Sequence, residues 1–135
     1  MLRIYLAVML GGAAGTGLRM WLSGLLAAKC GESFPIGTLV VNVLGCFVIG
    51  AFAAITGPEG LITTSPVTRQ IVTIGVLGGF TTFSAFGLKT FELMAEGNWF
   101  RAGLNVILSV VLCLLAVWVG HIAGGAISHH AGKAG

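Results

Sequence analysis

The sequence predicts an all-α membrane protein with four transmembrane helices in a single domain over residues 1–135, and three observations support this. The chain is 56% hydrophobic and 8% charged, whereas a typical soluble domain is about 25% charged. Its apolar residues fall into four runs, each long enough for the ~20 residues that cross a bilayer. It contains 22 glycines, and small residues let membrane helices pack closely. A water-soluble enzyme is therefore excluded, and no enzymatic activity is expected.

The first predicted span covers residues 2–26, and Arg19 is the charge that interrupts its apolar run. A charge at the centre of a bilayer costs about 2.5 to 3.5 kcal/mol. The side chain therefore either extends to the membrane surface or lies in a water-filled vestibule, where it would concentrate anions. Gly11 and Gly15 share its helical face, so this face carries two small residues and a cation.

The second predicted span covers residues 36–56 and contains Asn42. An amide within hydrocarbon needs hydrogen-bond partners, and its NH₂ group offers two donors. Asn42 therefore either joins two helices or offers a donor to an anion. Pro58 and Pro66 mark a turn between this span and the next.

The third predicted span covers residues 69–95, and its middle is unsuited to a regular helix. Gly78, Gly79, Thr81 and Thr82 are poor helix formers, which predicts a break near residues 78–82. Non-helical backbone at membrane depth is tolerated only where protein or water satisfies its N–H and C=O groups. The predicted break therefore requires partners for those groups.

Aromatic and hydroxyl side chains accompany this break. Phe83 and Phe86 are three residues apart and predicted to share a helical face, with Phe80 one turn earlier. Such aromatics usually pack in a core. Here the hydroxyls of Thr82 and Ser84 lie nearby, and an aromatic ring has a positive edge. Together these groups would replace the water around a small anion and bind it weakly, as conduction requires.

The fourth predicted span covers residues 100–127 and carries a weakly polar stripe. Asn105, Ser109 and Cys113 recur every four residues, a spacing that equally suits hydrogen bonds between helices. The chain has two further cysteines, Cys30 and Cys46, and no CxxC motif. Neither a disulfide framework nor a zinc site is expected.

The basic residues are balanced between the two sides of the predicted membrane domain. Four spans place three of them on one side and three on the other: Arg3, Arg69 and Lys133 against Lys29, Lys89 and Arg101. Membrane proteins are oriented by the asymmetry of Lys and Arg, which is nearly absent here. Insertion in both orientations is therefore predicted. The net charge of +3 is spread along the chain, and no nucleic-acid partner is expected.

Three segments resemble signatures of the CrcB or Fluc family of fluoride channels: GGAAGTGLRMW (11–21), GTLVVNVLGCFVIG (37–50) and GGFTTFSAF (78–86). The resemblance implies a fluoride-selective passive channel in the inner membrane that exports cytoplasmic fluoride and so reduces its toxicity. It also implies an antiparallel dual-topology dimer with two pores along the subunit interface. The balanced charge favours a homodimer over a pair of paralogues.

The resemblance further implies roles for individual residues. Asn42, Phe83 and Phe86 match the pore positions of the family, and the hydroxyls of Thr82, Ser84 and Ser109 are expected beside them. Arg19 matches a vestibule arginine. The backbone carbonyls of Gly78 and Thr81 match those that hold a central sodium ion between the subunits.

The chain departs from the family pattern at three positions. Lys89 stands where many relatives have a carboxylate, and Cys113 and Val117 stand where serine and threonine are common.

Two other function classes suit four spans. A small dual-topology multidrug or cation exporter would need a carboxylate in the first span, which has none. In a holin-like structural protein, Asn42 and the Thr-Thr-Phe-Ser segment (81–84) would have no functional role at these positions.

Overall fold

A computed structural model describes residues 1–31 and 33–133, and every regular element in this part of the chain is helical. The elements are α1 (Leu2–Cys30), α2 (Ile36–Ile55), α3 (Pro66–Gln70), a π-helical segment (Ile71–Leu77), α4 (Gly78–Phe80), α5 (Phe83–Ala95) and α6 (Trp99–Lys133). The all-α prediction is confirmed. The side chain of Lys133, which contributed to the predicted charge balance, lies outside the described residues.

Three helical stretches of the described chain are long and apolar enough to cross a membrane: Ile36–Ile55, Pro66–Ala95 and Trp99–Ala131. They correspond to the second, third and fourth predicted spans. Helix α1 has 29 residues, which suffices for a span, but its glycines and Arg19 make it the least apolar of the long helices. That α1 crosses the membrane, as the first of the four predicted spans, stays a prediction.

The predicted break in the third span is confirmed and lies at Thr81 and Thr82. Both residues have extended backbone, with φ/ψ of −84°/158° at Thr81 and −152°/116° at Thr82. Helix α5 begins directly afterwards, because the Thr82 hydroxyl accepts a hydrogen bond from the Ala85 N–H at 3.2 Å and caps the helix. The π-helical segment before the break was not predicted. Its wider turns often occur beside functional sites.

Helix α1 packs against the first half of the broken span through glycine. A Cβ at Gly15 would overlap the carbonyl oxygen of Val76, and one at Gly79 would overlap the carbonyl oxygen of Gly12. Such close approach brings the two backbones together without intervening side chains. It holds the broken backbone within reach of the polar side chains of α1.

Helices α2 and α6 form the most extensive packing in the described chain. They run parallel, because hydrogen bonds join their starting ends and, separately, their final ends. At the starting ends, Arg101 Nη1 donates to the Ser33 carbonyl at 3.3 Å. Near their other ends, the Leu61 N–H donates to Ser128 Oγ at 3.3 Å. Helix α5 is less enclosed and leaves Phe83, Leu88 and Phe91 exposed. The half-span after the break therefore projects an apolar face from the subunit.

Candidate functional site

The broken backbone is held to α2 by the side chain of Asn42. Its Nδ2 donates to the carbonyl oxygen of Thr82 at 3.0 Å, and its Oδ1 accepts from the N–H of Thr82 at 2.8 Å. Both backbone polar groups of one non-helical residue are thereby satisfied by one amide. One of the two Nδ2 hydrogens is used in this pair, which leaves the second as a donor.

The broken backbone is also held to α1, through the carbonyl of Gly79. Arg19 Nε donates to this oxygen at 3.1 Å, and Thr16 Oγ1 donates to it at 3.3 Å. Arg19 therefore lies against the break, and its guanidinium still has donors besides Nε. The sequence offered a surface position or a vestibule for Arg19, and this bond to the break was not foreseen.

Two other carbonyls at the break have lost the donors that a continuous α-helix would supply. In a regular helix the N–H of Thr82 would donate to Gly78 and that of Ala85 to Thr81. Instead, the Thr82 N–H donates to Asn42 Oδ1 and the Ala85 N–H donates to Thr82 Oγ1. The carbonyls of Gly78 and Thr81 are therefore left as acceptors, which is what a cation bound by backbone oxygens needs.

A cavity of about 440 Å³ opens beside the break, between α2, α5 and α6. Residues predicted for the pore or the cation site make up seven of its lining residues: Asn42, Gly78, Thr81, Thr82, Phe83, Phe86 and Ser109. Its other lining residues include Cys46 and Cys113. No residue lining this cavity in the described chain carries a charge. The cavity therefore offers polar donors and ring edges in otherwise apolar surroundings. Arg19 and Ser84 do not line it.

Phe83 and Phe86 form an aromatic pair at this cavity. Their ring centroids are 5.2 Å apart and the planes are inclined by 46°, within the range of favourable tilted contacts. Phe83 is 82% exposed, whereas Phe86 is half-buried. The predicted helical face does not extend to Phe80, because the non-helical residues Thr81 and Thr82 separate Phe80 from α5.

The predicted hydroxyls occupy different places. Thr82 Oγ1 caps α5 and lies 3.3 Å from Ser84 Oγ. Ser84 is exposed and does not line the cavity, whereas Ser109 is buried at its α6 wall. The hydroxyl of Thr81 donates to the Leu77 carbonyl at 3.0 Å, which closes the last turn before the break.

A buried hydrogen-bonded chain leads from Ser109 to α5. Ser109 Oγ donates to Asn105 Oδ1 at 3.5 Å, Asn105 Nδ2 donates to Thr90 Oγ1 at 2.9 Å, and Thr90 Oγ1 donates to the Phe86 carbonyl at 2.8 Å. Asn105 is only 2% exposed. The sequence identified the stripe on α6 but missed Thr90. Its position four residues after Phe86 was the available signal, because it places Thr90 on the same face of α5.

Lys89, a departure from the family pattern, lies away from this cavity. Its ammonium group pairs with the Glu92 carboxylate at 2.8 Å on the exposed surface of α5. It also lines a second cavity of about 350 Å³ beside the end of α1 and the start of α2.

Comparisons with known proteins agree with the resemblance seen in the motifs. A family model described as "CrcB-like protein, Camphor Resistance (CrcB)" matches residues 6–121. A relative from Opitutus terrae is 58% identical over 120 residues, covering 89% of this chain and 91% of the relative. One from Rhodospirillum rubrum is 54% identical over 118 residues, covering 87% and 92%. One from Methylocella silvestris is 48% identical over 128 residues, covering 95% and 98%. All three are named fluoride-specific ion channel FluC.

Proposed function

This chain belongs to the CrcB family, and from that premise we propose that it is a fluoride channel, a multi-pass membrane protein that lets cytoplasmic fluoride leave the cell passively. The observation that supports this is the uncharged cavity at the break, where Asn42, Phe83, Phe86 and Ser109 meet. It acts as a channel and not as an enzyme. The exporter alternative gains no support, because α1, α2 and α6 contain no Asp or Glu.

The cavity suits a small anion that must lose its water. The second Nδ2 hydrogen of Asn42 offers a hydrogen bond, and the ring edges of Phe83 and Phe86 offer weak positive potential. A fixed cation in this position would bind fluoride too tightly for release, since conduction needs favourable but weak binding. A larger halide would be rejected by size and by unmatched solvation.

We propose that the functional unit is an antiparallel homodimer. Polar groups of Asn42 and Thr82 line the cavity, and Phe83 of the same lining is 82% exposed; polar groups facing hydrocarbon are costly. A second copy packed on the apolar face of α5 would cover the cavity and complete a pore. The balanced Lys and Arg count lets one gene product supply both orientations.

We also propose that a sodium ion joins the two subunits at the breaks. Gly78 and Thr81 each present a carbonyl whose helical donor is engaged elsewhere. Unwound backbone carbonyls bind sodium in other membrane proteins. When bound, the ion would supply a fixed positive charge that holds the two broken helices together.

Arg19 is proposed to serve the break and the pore mouth together. Its Nε bond to Gly79 fixes the guanidinium beside the broken backbone. The remaining donors and the positive charge would raise the local concentration of anions without entering the uncharged cavity.

The channel proposal is tested with purified protein in liposomes loaded with potassium fluoride. Valinomycin is added to carry the compensating potassium, and a fluoride electrode records efflux. We expect rapid fluoride efflux and none of chloride under the same gradient. Protein that is folded and dimeric but releases no fluoride would contradict the proposal.

The orientation proposal is tested through Cys30, which is exposed at the end of α1. In a variant carrying Cys46→Ser and Cys113→Ser, Cys30 is the single thiol. A membrane-impermeant maleimide applied to intact cells is expected to label about half of the protein, since both orientations are equally populated. Labelling of all or none of it would show one orientation and contradict dual topology.

A further inference from the structure

Helices α2 and α6 are aligned in register at the cavity. Gly50 of α2 meets the backbone of Val117 of α6, since a Cβ at Gly50 would overlap the Val117 carbonyl oxygen. Because the helices run parallel, moving four residues towards the N-terminus of each helix gives the next pair of neighbouring residues. The first step pairs Cys46 with Cys113, and the second pairs Asn42 with Ser109.

The two thiols of this register meet at the cavity wall. Cys46 and Cys113 both line the cavity and are both partly exposed. Cys46 comes from α2 and Cys113 from α6, at paired positions of this register. They lie one helical turn from Asn42 and Ser109, where the fluoride path is proposed. The third cysteine, Cys30, lies at the far end of α1, outside this cavity.

We propose that Cys46 and Cys113 form a two-coordinate site for a soft, thiol-seeking d¹⁰ metal ion, and that an ion bound there obstructs the fluoride path. Soft ions prefer thiolate ligands, and α2 and α6 each supply one cysteine sulfur to the cavity wall. The described residues contain no cluster of three or more His, Cys, Asp or Glu that could hold a metal ion. Zinc, which takes four protein ligands in structural sites, is therefore a poor match.

The charge balance favours a divalent ion such as Hg²⁺. On binding, the two S–H bonds break, two metal–sulfur bonds form, and two protons pass to water, with no oxidation or reduction. Two thiolates cancel the charge of Hg²⁺, so the complex is neutral and is not penalised by the low dielectric of the membrane. A neutral plug at this layer fills space without attracting the anion.

Binding is tested in detergent without fluoride, so that this test does not depend on the proposed function. Cys30→Ser protein, whose thiols are Cys46 and Cys113, is titrated with Hg²⁺ and followed by mercury–thiolate absorption in the ultraviolet. We expect one ion per chain, bound about 100-fold more tightly than in protein that also carries Cys46→Ser or Cys113→Ser, because the second bond is intramolecular. Equal affinity in these variants, or two ions per chain, would overturn the site. Cys46→Ala and Cys113→Ala, with gel-filtration profiles, control for folding.

Obstruction, which rests on the proposed function, is tested by fluoride efflux from liposomes. Hg²⁺ should stop efflux in Cys30→Ser protein, a dithiol should restore it, and either serine variant at position 46 or 113 should resist. Tight binding with unchanged efflux would overturn the obstruction. Absence of efflux before mercury is added would instead contradict the channel proposal, whereas the titration would still decide the metal site.

Discussion

Asn42 and Thr82 are joined by two reciprocal hydrogen bonds, at 3.0 Å from Nδ2 to the Thr82 carbonyl and at 2.8 Å from the Thr82 N–H to Oδ1. The amide takes the place of the helical turn that the broken backbone lacks. The sequence left two interpretations of Asn42, as a link between two helices or as a donor to an anion. The observed pairing is compatible with both. Asn42 joins two helices and still has one donor directed elsewhere.

Asn42→Ala is expected to destabilise the protein by about 2 to 4 kcal/mol, because it leaves the N–H and the C=O of Thr82 without partners in the membrane. The measurement is the thermal unfolding midpoint of the purified protein, together with fluoride efflux. Asn98→Ala is the matched control, since the side chain of Asn98 bonds only to the surface carboxylate of Glu96 at 3.3 Å. Equal midpoints for both variants would refute the role given to the Asn42–Thr82 pair.

Phe83→Ile and Phe86→Ile are each expected to lower fluoride efflux at least tenfold while the protein still folds and dimerises. Isoleucine keeps apolar bulk but has no positive ring edge, and a tenfold loss is a barrier increase of about 1.4 kcal/mol. The efflux rate is normalised to the amount of dimeric protein. Phe91→Ile, an exposed aromatic on α5 outside the cavity, is expected to conduct normally. Undiminished efflux in both cavity variants would argue that the rings only pack.

Thr90→Val is expected to destabilise the protein by about 1 to 3 kcal/mol and to reduce efflux, because it removes the hydroxyl that accepts from buried Asn105. Thr56→Val is a matched control, since that buried hydroxyl, at the end of α2, bonds only to the Phe52 carbonyl one turn earlier at 2.7 Å. Unfolding midpoints and efflux are measured for both. If Thr56→Val were as damaging as Thr90→Val, the chain from Ser109 to α5 would have no special importance.

Gly15→Ala is expected to cost about 1 to 3 kcal/mol, because its Cβ would overlap the Val76 carbonyl oxygen and force α1 away from the broken span. Gly17→Ala, two residues along the same helix, meets nothing within 4 Å. It should be neutral or stabilising by up to about 1 kcal/mol, the propensity difference between glycine and alanine. Unfolding midpoints of the two variants give the comparison, and the reverse order would show that α1 is not packed as described.

Replacing sodium with an equal concentration of N-methyl-D-glucamine is expected to lower the thermal midpoint of the dimer. An ion that binds only the folded dimer contributes stability that rises with its concentration, by about 2.7 kcal/mol at 100 times its Kd. Potassium at the same ionic strength is the control, because it shows whether the midpoint depends on an alkali cation of sodium's size. A midpoint that does not depend on the cation would refute the sodium site.

Much of the site could be predicted from the sequence, because its groups are exceptions to their surroundings. Arg19, Asn42 and the Gly-Gly and Thr-Thr pairs stand out in apolar runs, since each costs free energy in a membrane unless it has a partner. Thr90 was missed for the opposite reason. A lone threonine in a helix is unremarkable until its partner from α6 is seen, and that partner is 15 residues away in sequence.

The sequence by itself determined an all-α membrane protein with a broken third span, because composition and local propensity act residue by residue, and its motifs carried the resemblance to the CrcB family. Only the tertiary structure decided which groups are paired at the break. Those pairs join residues 40 to 63 positions apart, and no local pattern specifies them. The close approach of α1 to the broken span at Gly15 and Gly79 selects Arg19 and Thr16 for the Gly79 carbonyl, whereas Asn42 reaches Thr82 from α2. The same packing leaves the carbonyls of Gly78 and Thr81 as acceptors.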